Sequence, residues 1–192
     1  MFTGIVQTKG KILNMNPTQG GASILVGVPT SFNKDLQRGA SVAVNGVCLT
    51  VTKKSKEKIS FDVIKETLRS TNLSRLNQLD EVNMERSLKF GDEVGGHLLS
   101  GHISCECQAT LKKEKGEVEL VVSKPKRWEK KIVNKGYVAL NGVSLTVSKV
   151  TKSSFSVFLI PETIKTTNLT FLDKGSTLNL EIDQNAVFHK TK

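Results

Sequence analysis

Cys48 and Ser144 stand at matched places in two closely similar runs of this 192-residue chain. Ser41-Val-Ala-Val-Asn-Gly-Val-Cys-Leu-Thr-Val51 aligns with Tyr137-Val-Ala-Leu-Asn-Gly-Val-Ser-Leu-Thr-Val147, with eight of eleven positions identical at an offset of 96. A thiol or a hydroxyl is a nucleophile when a base stands beside it; otherwise it can position water. A second matched pair is Glu66-Thr-Leu-Arg-Ser-Thr-Asn-Leu73 and Glu162-Thr-Ile-Lys-Thr-Thr-Asn-Leu169, at the same offset. Carboxylates of this kind accept hydrogen bonds from hydroxyl groups. Val82-Asn-Met-Glu85 matches Leu178-Asn-Leu-Glu181, and at an offset of 97 Thr3-Gly4 matches Ser100-Gly101. Positions kept in both copies serve the fold or a shared ligand. Positions that differ mark divided roles: Cys48 against Ser144, Lys65-Glu66-Thr67 against Pro161-Glu162-Thr163, and His102 after Gly101 where Ile5 follows Gly4. Two related but unequal pockets suit two molecules of one ligand in different poses. Holding two reactants together contributes about 7–11 kcal/mol to a bimolecular step.

Each copy must position these groups on strands. Asn45-Gly46 and Asn141-Gly142 both sit between alternating apolar runs, the strongest short hairpin signal. After the first turn Val47, Leu49 and Val51 share one face, and Cys48 and Thr50 the other; Ser144 and Thr146 occupy that other face in the second copy. A half-buried strand with its polar face in water would explain Ser144 and Thr146, but free cysteine is seldom well exposed. Further β-rich runs lie at Ile59–Ile64, Val118–Val122 and Phe155–Ile160, and one or two helical turns are expected after Glu66 and Glu162. The expected architecture is all-β: two tandem six-stranded Greek-key β-barrels with short helical turns, favoured over sandwiches, which periodicity does not distinguish. The expected domains are residues 1–95, 96–183, and a tail of 184–192.

Composition narrows the function. No apolar run approaches the roughly 20 residues of a membrane helix, and the start lacks a signal-peptide pattern, so a cytoplasmic location without membrane partners is expected. Three cysteines, Cys48, Cys105 and Cys107, make no disulfide framework, and with His97, His102 and His189 they lack metal-site spacing. The net charge of +10 gathers at Lys53-Lys54, from Lys112 to Lys115 and from Lys124 to Lys131. No nucleic-acid motif accompanies it, and it reads as solvated lysines on turns and sheet edges. His97 reads as structural. His102, after Ser100-Gly101, is open to lining a pocket as a proton shuttle.

The start Met1-Phe-Thr-Gly-Ile-Val6, the runs Asn45–Val51, Phe61-Asp-Val-Ile-Lys-Glu-Thr67, Gly95-Gly-His-Leu-Leu-Ser-Gly-His-Ile103 and Ile160-Pro-Glu-Thr163 together resemble riboflavin synthase, from Met1 to about Asp183. The resemblance implies the last step of riboflavin formation, a transferase reaction. Two molecules of 6,7-dimethyl-8-ribityllumazine dismutate, one giving a four-carbon unit to the other, to yield riboflavin and 5-amino-6-(D-ribitylamino)uracil. It implies no metal and no redox cofactor. It also implies a homotrimer with the site between the N-terminal barrel of one subunit and the C-terminal barrel of its neighbour, and association with lumazine synthase. The resemblance places Gly4, Ile5, Val6, Cys48, Leu49, Thr50, Asp62, Val63, Ile64, Lys65, Glu66 and Thr67, with Ser41, around the N-barrel ligand. Around the C-barrel ligand it places Gly101, His102, Ile103, Lys135, Ser144, Leu145, Thr146, Ile160, Pro161, Glu162, Thr163, Ile164 and Lys165. Phe2 is expected to pack over the site. In these roles His102 carries a proton, Cys48 and Ser144 act as nucleophiles or hold water, Thr146 assists, and Lys135 stabilises an anionic substrate. Two departures stand out. Family members end in a sizeable trimer-binding helix, whereas residues 184–192 are too few for a stable coiled stem. Asn141 replaces a common Asp, which is expected to change a turn charge and little else. A non-catalytic lumazine- or flavin-binding protein of the same fold is the alternative.

Overall fold

The computed structural model describes residues 1–172 and 176–188. The first barrel contains β1 (Thr8–Thr18), β2 (Gly21–Gly27), β3 (Ser41–Val44), β4 (Val47–Lys54), β5 (Lys58–Ile64) and β6 (Glu81–Arg86). They close in the order β1-β2-β5-β4-β3-β6, every pair antiparallel. The second copy contains β7 (Cys105–Glu114), β8 (Glu117–Ser123), β9 (Tyr137–Leu140), β10 (Val143–Thr146), β11 (Lys149–Val150), β12 (Ser154–Phe158) and β13 (Thr177–Ile182). Its ladder runs β10-β9-β13-β7-β8-β12-β11. The two ends, β10 and β11, are halves of one strand interrupted at Val147-Ser148, and the Ser148 N–H donates to the Ser156 carbonyl at 2.8 Å. The ring therefore closes as a second six-stranded barrel. The first barrel marks the same place with a bulge in β4 between Val51 and Lys53. Extra residues of this kind increase strand bending where a small barrel must close.

The Asn-Gly turns behave as expected. Asn45 and Gly46 have φ of 45° and 81°, and Asn141 and Gly142 have 46° and 78°. These positive values match the right-handed twist of the flanking strands. A third hairpin of this type joins β7 to β8 through Lys115-Gly116. Inside each barrel alternate residues interlock. Ile24, Ile59, Phe61 and Met84 are fully buried in the first, and Leu120, Phe155, Val157 and Leu180 are buried in the second. Each such side chain contributes about 1.5–3 kcal/mol through removal from water. The expected helical turns are α2 (Lys65–Ser70) and α3 (Pro161–Thr166); α1 (Thr30–Asn33) and α4 (Gln184–Phe188) are also short. No helix among the described residues is long and apolar enough to cross a membrane.

The barrels meet around a local two-fold relation. Gly46 and Gly142 lie back to back, so that a Cβ on Gly46 would stand 2.7 Å from the Gly142 nitrogen. Around them six asparagines form a reciprocal network. The Asn83 and Asn179 amides donate to the Asn141 and Asn45 carbonyls at 3.0 and 2.9 Å. The Asn72 N–H donates to Asn179 Oδ1 and the Asn168 N–H to Asn83 Oδ1, both at 2.7 Å. Asn72 Nδ2 donates to Asn141 Oδ1 and Asn168 Nδ2 to Asn45 Oδ1, both at 3.0 Å. All six residues are buried. The expectation for Asn141 is thereby corrected. Its Oδ1 also accepts from the Asn179 N–H, and its Nδ2 donates to Asn168 Oδ1 at 3.3 Å, so an Asp here would lose a buried donor as well as add charge.

The segment 87–104 runs between β6 and β7. Phe2 and Leu99 pair as an isolated antiparallel bridge on the local axis, with N–H···O distances of 2.8 and 3.0 Å. Two straps, Thr3–Val6 and Ser100–Ile103, leave this bridge.

Candidate functional site

Each strap is fixed by a buried glutamate of its own barrel. Glu85 Oε1 accepts from the N–H and hydroxyl of Thr3 at 2.6 and 2.8 Å, and its Oε2 accepts from the Gly4 N–H at 3.1 Å. Glu181 repeats the pattern with Ser100 at 2.7 and 2.8 Å and Gly101 at 3.1 Å. Burial pushes both carboxyls above the usual value of 4.5, while these hydrogen bonds oppose the shift. The donors fill both oxygens and hold each strap in one register.

From these anchors the straps cross to the other barrel. The Gly4 carbonyl accepts from the Ser144 N–H, and the Gly101 carbonyl from the Cys48 N–H, both at 2.9 Å. Val6 packs on the core of the second barrel and Ile103 on the core of the first. This exchange reverses the expected grouping. Gly4, Ile5 and Val6 belong with Ser144, Leu145 and Thr146; Gly101, His102 and Ile103 belong with Cys48, Leu49 and Thr50. The spacing of the repeats shows which segments correspond, but it does not show which of two equivalent barrels a strap crosses to.

The strand alternation positions the polar groups. Leu49 and Leu145 point into the cores, Cys48 and Ser144 are half-buried, and Thr50 and Thr146 are exposed. Ser41 lies opposite Thr50 in the ladder. At the end of β5, Asp62 and Ile64 face outward and Val63 inward, and α2 then presents Lys65, Glu66 and Thr67. Glu66 Oε2 pairs with Arg69 at 2.6 Å on the exposed surface. In the second barrel Ile160 and Pro161 are exposed at the start of α3, with Glu162, Thr163, Ile164 and Lys165 following. Lys135 is exposed in the turn before β9, its N–H donating to the Val147 carbonyl at 2.8 Å.

Phe2 lies beneath rather than over an open surface. Its ring is 1 % exposed and clusters with Ala43, Leu99 and Ala139, against which Cys48 packs. His102 is exposed, its backbone N–H donates to Ser100 Oγ at 3.1 Å, and its charge acts on the nearby Glu181 carboxyl. His97 has a different setting from the structural one expected. Its Nδ1 stands 2.7 Å from Ser144 Oγ, and its ring stacks on Tyr137 with centroids 5.2 Å apart. Burial lowers its pKa from 6.5, partly offset by Asp183, so the imidazole is neutral near pH 7. A hydroxyl on a neutral imidazole can pass a proton to it. Among the described residues no imidazole is hydrogen-bonded to Cys48 as His97 is to Ser144. The two sites therefore share a frame and differ in chemistry. The described groove of about 560 Å³ between the barrels lies at neither site; Asn72, Arg75 and Phe171 line it.

The comparisons agree with this duplication. A lumazine binding domain family matches residues 3–87 and again 100–183. Riboflavin synthase of Escherichia coli (strain K12) is 43 % identical over 185 residues, 95 % of this chain and 87 % of that protein. The chain belongs to the riboflavin synthase family. The family's riboflavin synthases of Chlamydia pneumoniae and Brucella abortus (strain 2308) are 41 % and 37 % identical, over 95 % and 96 % of this chain and 90 % and 94 % of theirs. Among solved structures, LumP complexed with riboflavin superimposes with a TM-score of 0.89 at 26 % identity, covering 96 % of this chain and all of that one. LumP complexed with 6,7-dimethyl-8-(1'-D-ribityl) lumazine gives 0.86 at 25 % identity, with the same coverage.

Proposed function

We propose that this riboflavin synthase family member dismutates two molecules of 6,7-dimethyl-8-ribityllumazine into riboflavin and 5-amino-6-(D-ribitylamino)uracil, one molecule giving a four-carbon unit to the other. The observation that carries the reading is the pair of unequal sites on one chain. Each has a strap, a polar strand face and a carboxylate on a helical turn, and among the described residues a histidine stands on the Ser144 hydroxyl and none on Cys48. Backbone groups of the straps and the Thr50 and Thr146 hydroxyls suit the flat, polar edge of a pyrimidinedione. Glu66 and Glu162 suit ribityl hydroxyls as acceptors. At the Ser144 site the hydroxyl, backed by neutral His97, takes or returns the proton of an acidic ring methyl group. At the other site Cys48 and His102 act, among the described residues, without a hydrogen-bonded pair like that of Ser144 and His97.

Bond formation needs the two ligands in contact, and most of the rate comes from that proximity. Ile64 and Ile160 occupy the same place in the two sites and are 63 % and 64 % exposed. A neighbouring copy would cover them by setting the Cys48 site of one protomer against the Ser144 site of the next, as in a homotrimer. The second reading, a lumazine or flavin carrier, draws on the likeness to the LumP complexes. Titration with riboflavin separates the roles of the sites. Two ligands per chain with different affinities are expected, Glu66→Ala weakening one and Glu162→Ala the other. A single ligand per chain, unaffected by one of the two variants, would defeat the two-site reading.

A further inference from the structure

Outside both sites, β7 carries two cysteines that the reaction does not use. Cys105 and Cys107 are two apart on an antiparallel strand and so face the same side. Their sulfurs are 3.8 Å apart. Cys107 is buried in the second core and Cys105 is half-buried at its margin. We infer that Cys105-Glu106-Cys107 is an oxidation site in which a peroxide converts the two thiols to an intramolecular disulfide.

The arrangement divides the work between the sulfurs. The contact with Cys107, in which either sulfur can donate, and Arg127 lower the Cys105 pKa against the opposing effect of burial. The same contact, and then burial, push the Cys107 thiol up. The Cys105 thiolate attacks one peroxide oxygen, the O–O bond breaks, and one water leaves after protonation, giving a sulfenic acid. The Cys107 sulfur then attacks the Cys105 sulfur, the S–O bond breaks, and the second water leaves. Two thiols supply the two electrons that the peroxide takes up.

The bridge strains its strand. Extended backbone spaces alternate Cα atoms by about 6.6–6.8 Å, the long end of the roughly 4.4–6.8 Å range for disulfides. The strand must pucker at Glu106, whose Oε2 accepts from Arg75 Nε and Thr177 Oγ1, both at 2.8 Å. Just upstream, Ser104 ties the strap to β13: its N–H donates to the Leu180 carbonyl at 2.8 Å, and its Oγ accepts from the Ile182 N–H. A strained bridge of this kind is readily reduced.

The test treats the full-length protein with hydrogen peroxide and maps the products by peptide mass spectrometry before and after dithiothreitol. The peptide containing residues 105–107 is expected to lose the mass of two hydrogen atoms and to regain it on reduction. Cys107→Ser or Cys107→Ala should stop at a sulfenic acid on Cys105, trapped by a dimedone-type reagent. Cys105→Ser should leave Cys107 unmodified. Oxidation confined to Cys48, or a Cys105–Cys107 peptide that stays reduced while Cys48 reacts, would overturn the inference.

Discussion

At the residue scale the decisive groups are buried and polar. Glu85 and Glu181 were visible only as repeated letters at the ends of matched strands. Their purpose depends on chain segments some 80 residues away that no local pattern connects to them. Replacing either by Gln turns an accepting oxygen into an amide facing the Thr3–Gly4 or Ser100–Gly101 donors. Each variant should lose about 1–3 kcal/mol of stability, measured by urea unfolding, because a buried donor is left unmade. The pH dependence has a definite sign. These two raised carboxyls contribute stability that is complete below 4.5 and declines as pH rises through their folded values. His97 is opposite: its lowered pKa contributes stability above 6.5 that is lost as pH falls through the folded value. For the reaction, His97→Ala should lower kcat by about 10²–10⁴-fold, the range of general acid–base assistance. It should also abolish an acid limb that lies below pH 6.5 in the wild type. A variant with an unchanged profile would remove His97 from the proton path and leave it as packing for Ser144 and Tyr137.

At the element scale the straps carry the argument. Their glycines have φ of 76° and 80°, and each lies hard against the opposite barrel. A Cβ on Gly4 would stand 2.5 Å from Ser144 Cβ, and one on Gly101 would stand 2.5 Å from Cys48 Cβ. Gly4→Ala and Gly101→Ala should each cost about 1–2 kcal/mol for the left-handed backbone and about 1–3 kcal/mol for overpacking. Gly91, with φ of 92° and open space around it, meets only the first cost. Equal unfolding midpoints for Gly4→Ala, Gly101→Ala and Gly91→Ala would refute tight strap docking. The hairpins, the strand faces and the helical turns after Glu66 and Glu162 were legible because each is set by neighbours in sequence. The strap exchange was not, since the two barrels offer equivalent docking places and only the short reach from the Phe2–Leu99 bridge decides between them.

At the scale of the whole molecule, the duplication was plain in the sequence and the joint between the copies was not. Asparagines 45, 72, 83, 141, 168 and 179 all recur at the repeat offset, yet Asn is also the common residue of turns, which hid their part in a buried network. Asn168→Ala removes donors to Asn45 Oδ1 and to the Glu81 carbonyl, both at 3.0 Å. It should destabilise the chain by about 1–3 kcal/mol. Because the network spans both barrels, thermal unfolding should split into two transitions as the joint weakens; a single transition at the wild-type midpoint would count against the joint. The same joint carries two frames of unlike side chains on one chain, which suits an unequal exchange between two identical molecules.

That exchange is tested most directly by incubating the purified protein with 6,7-dimethyl-8-ribityllumazine and following both products by absorbance and chromatography. Riboflavin and 5-amino-6-(D-ribitylamino)uracil should appear in equal amounts as two lumazines disappear for each riboflavin formed. Tight binding with the lumazine recovered unchanged would contradict the account and leave a carrier built on an enzyme's frame.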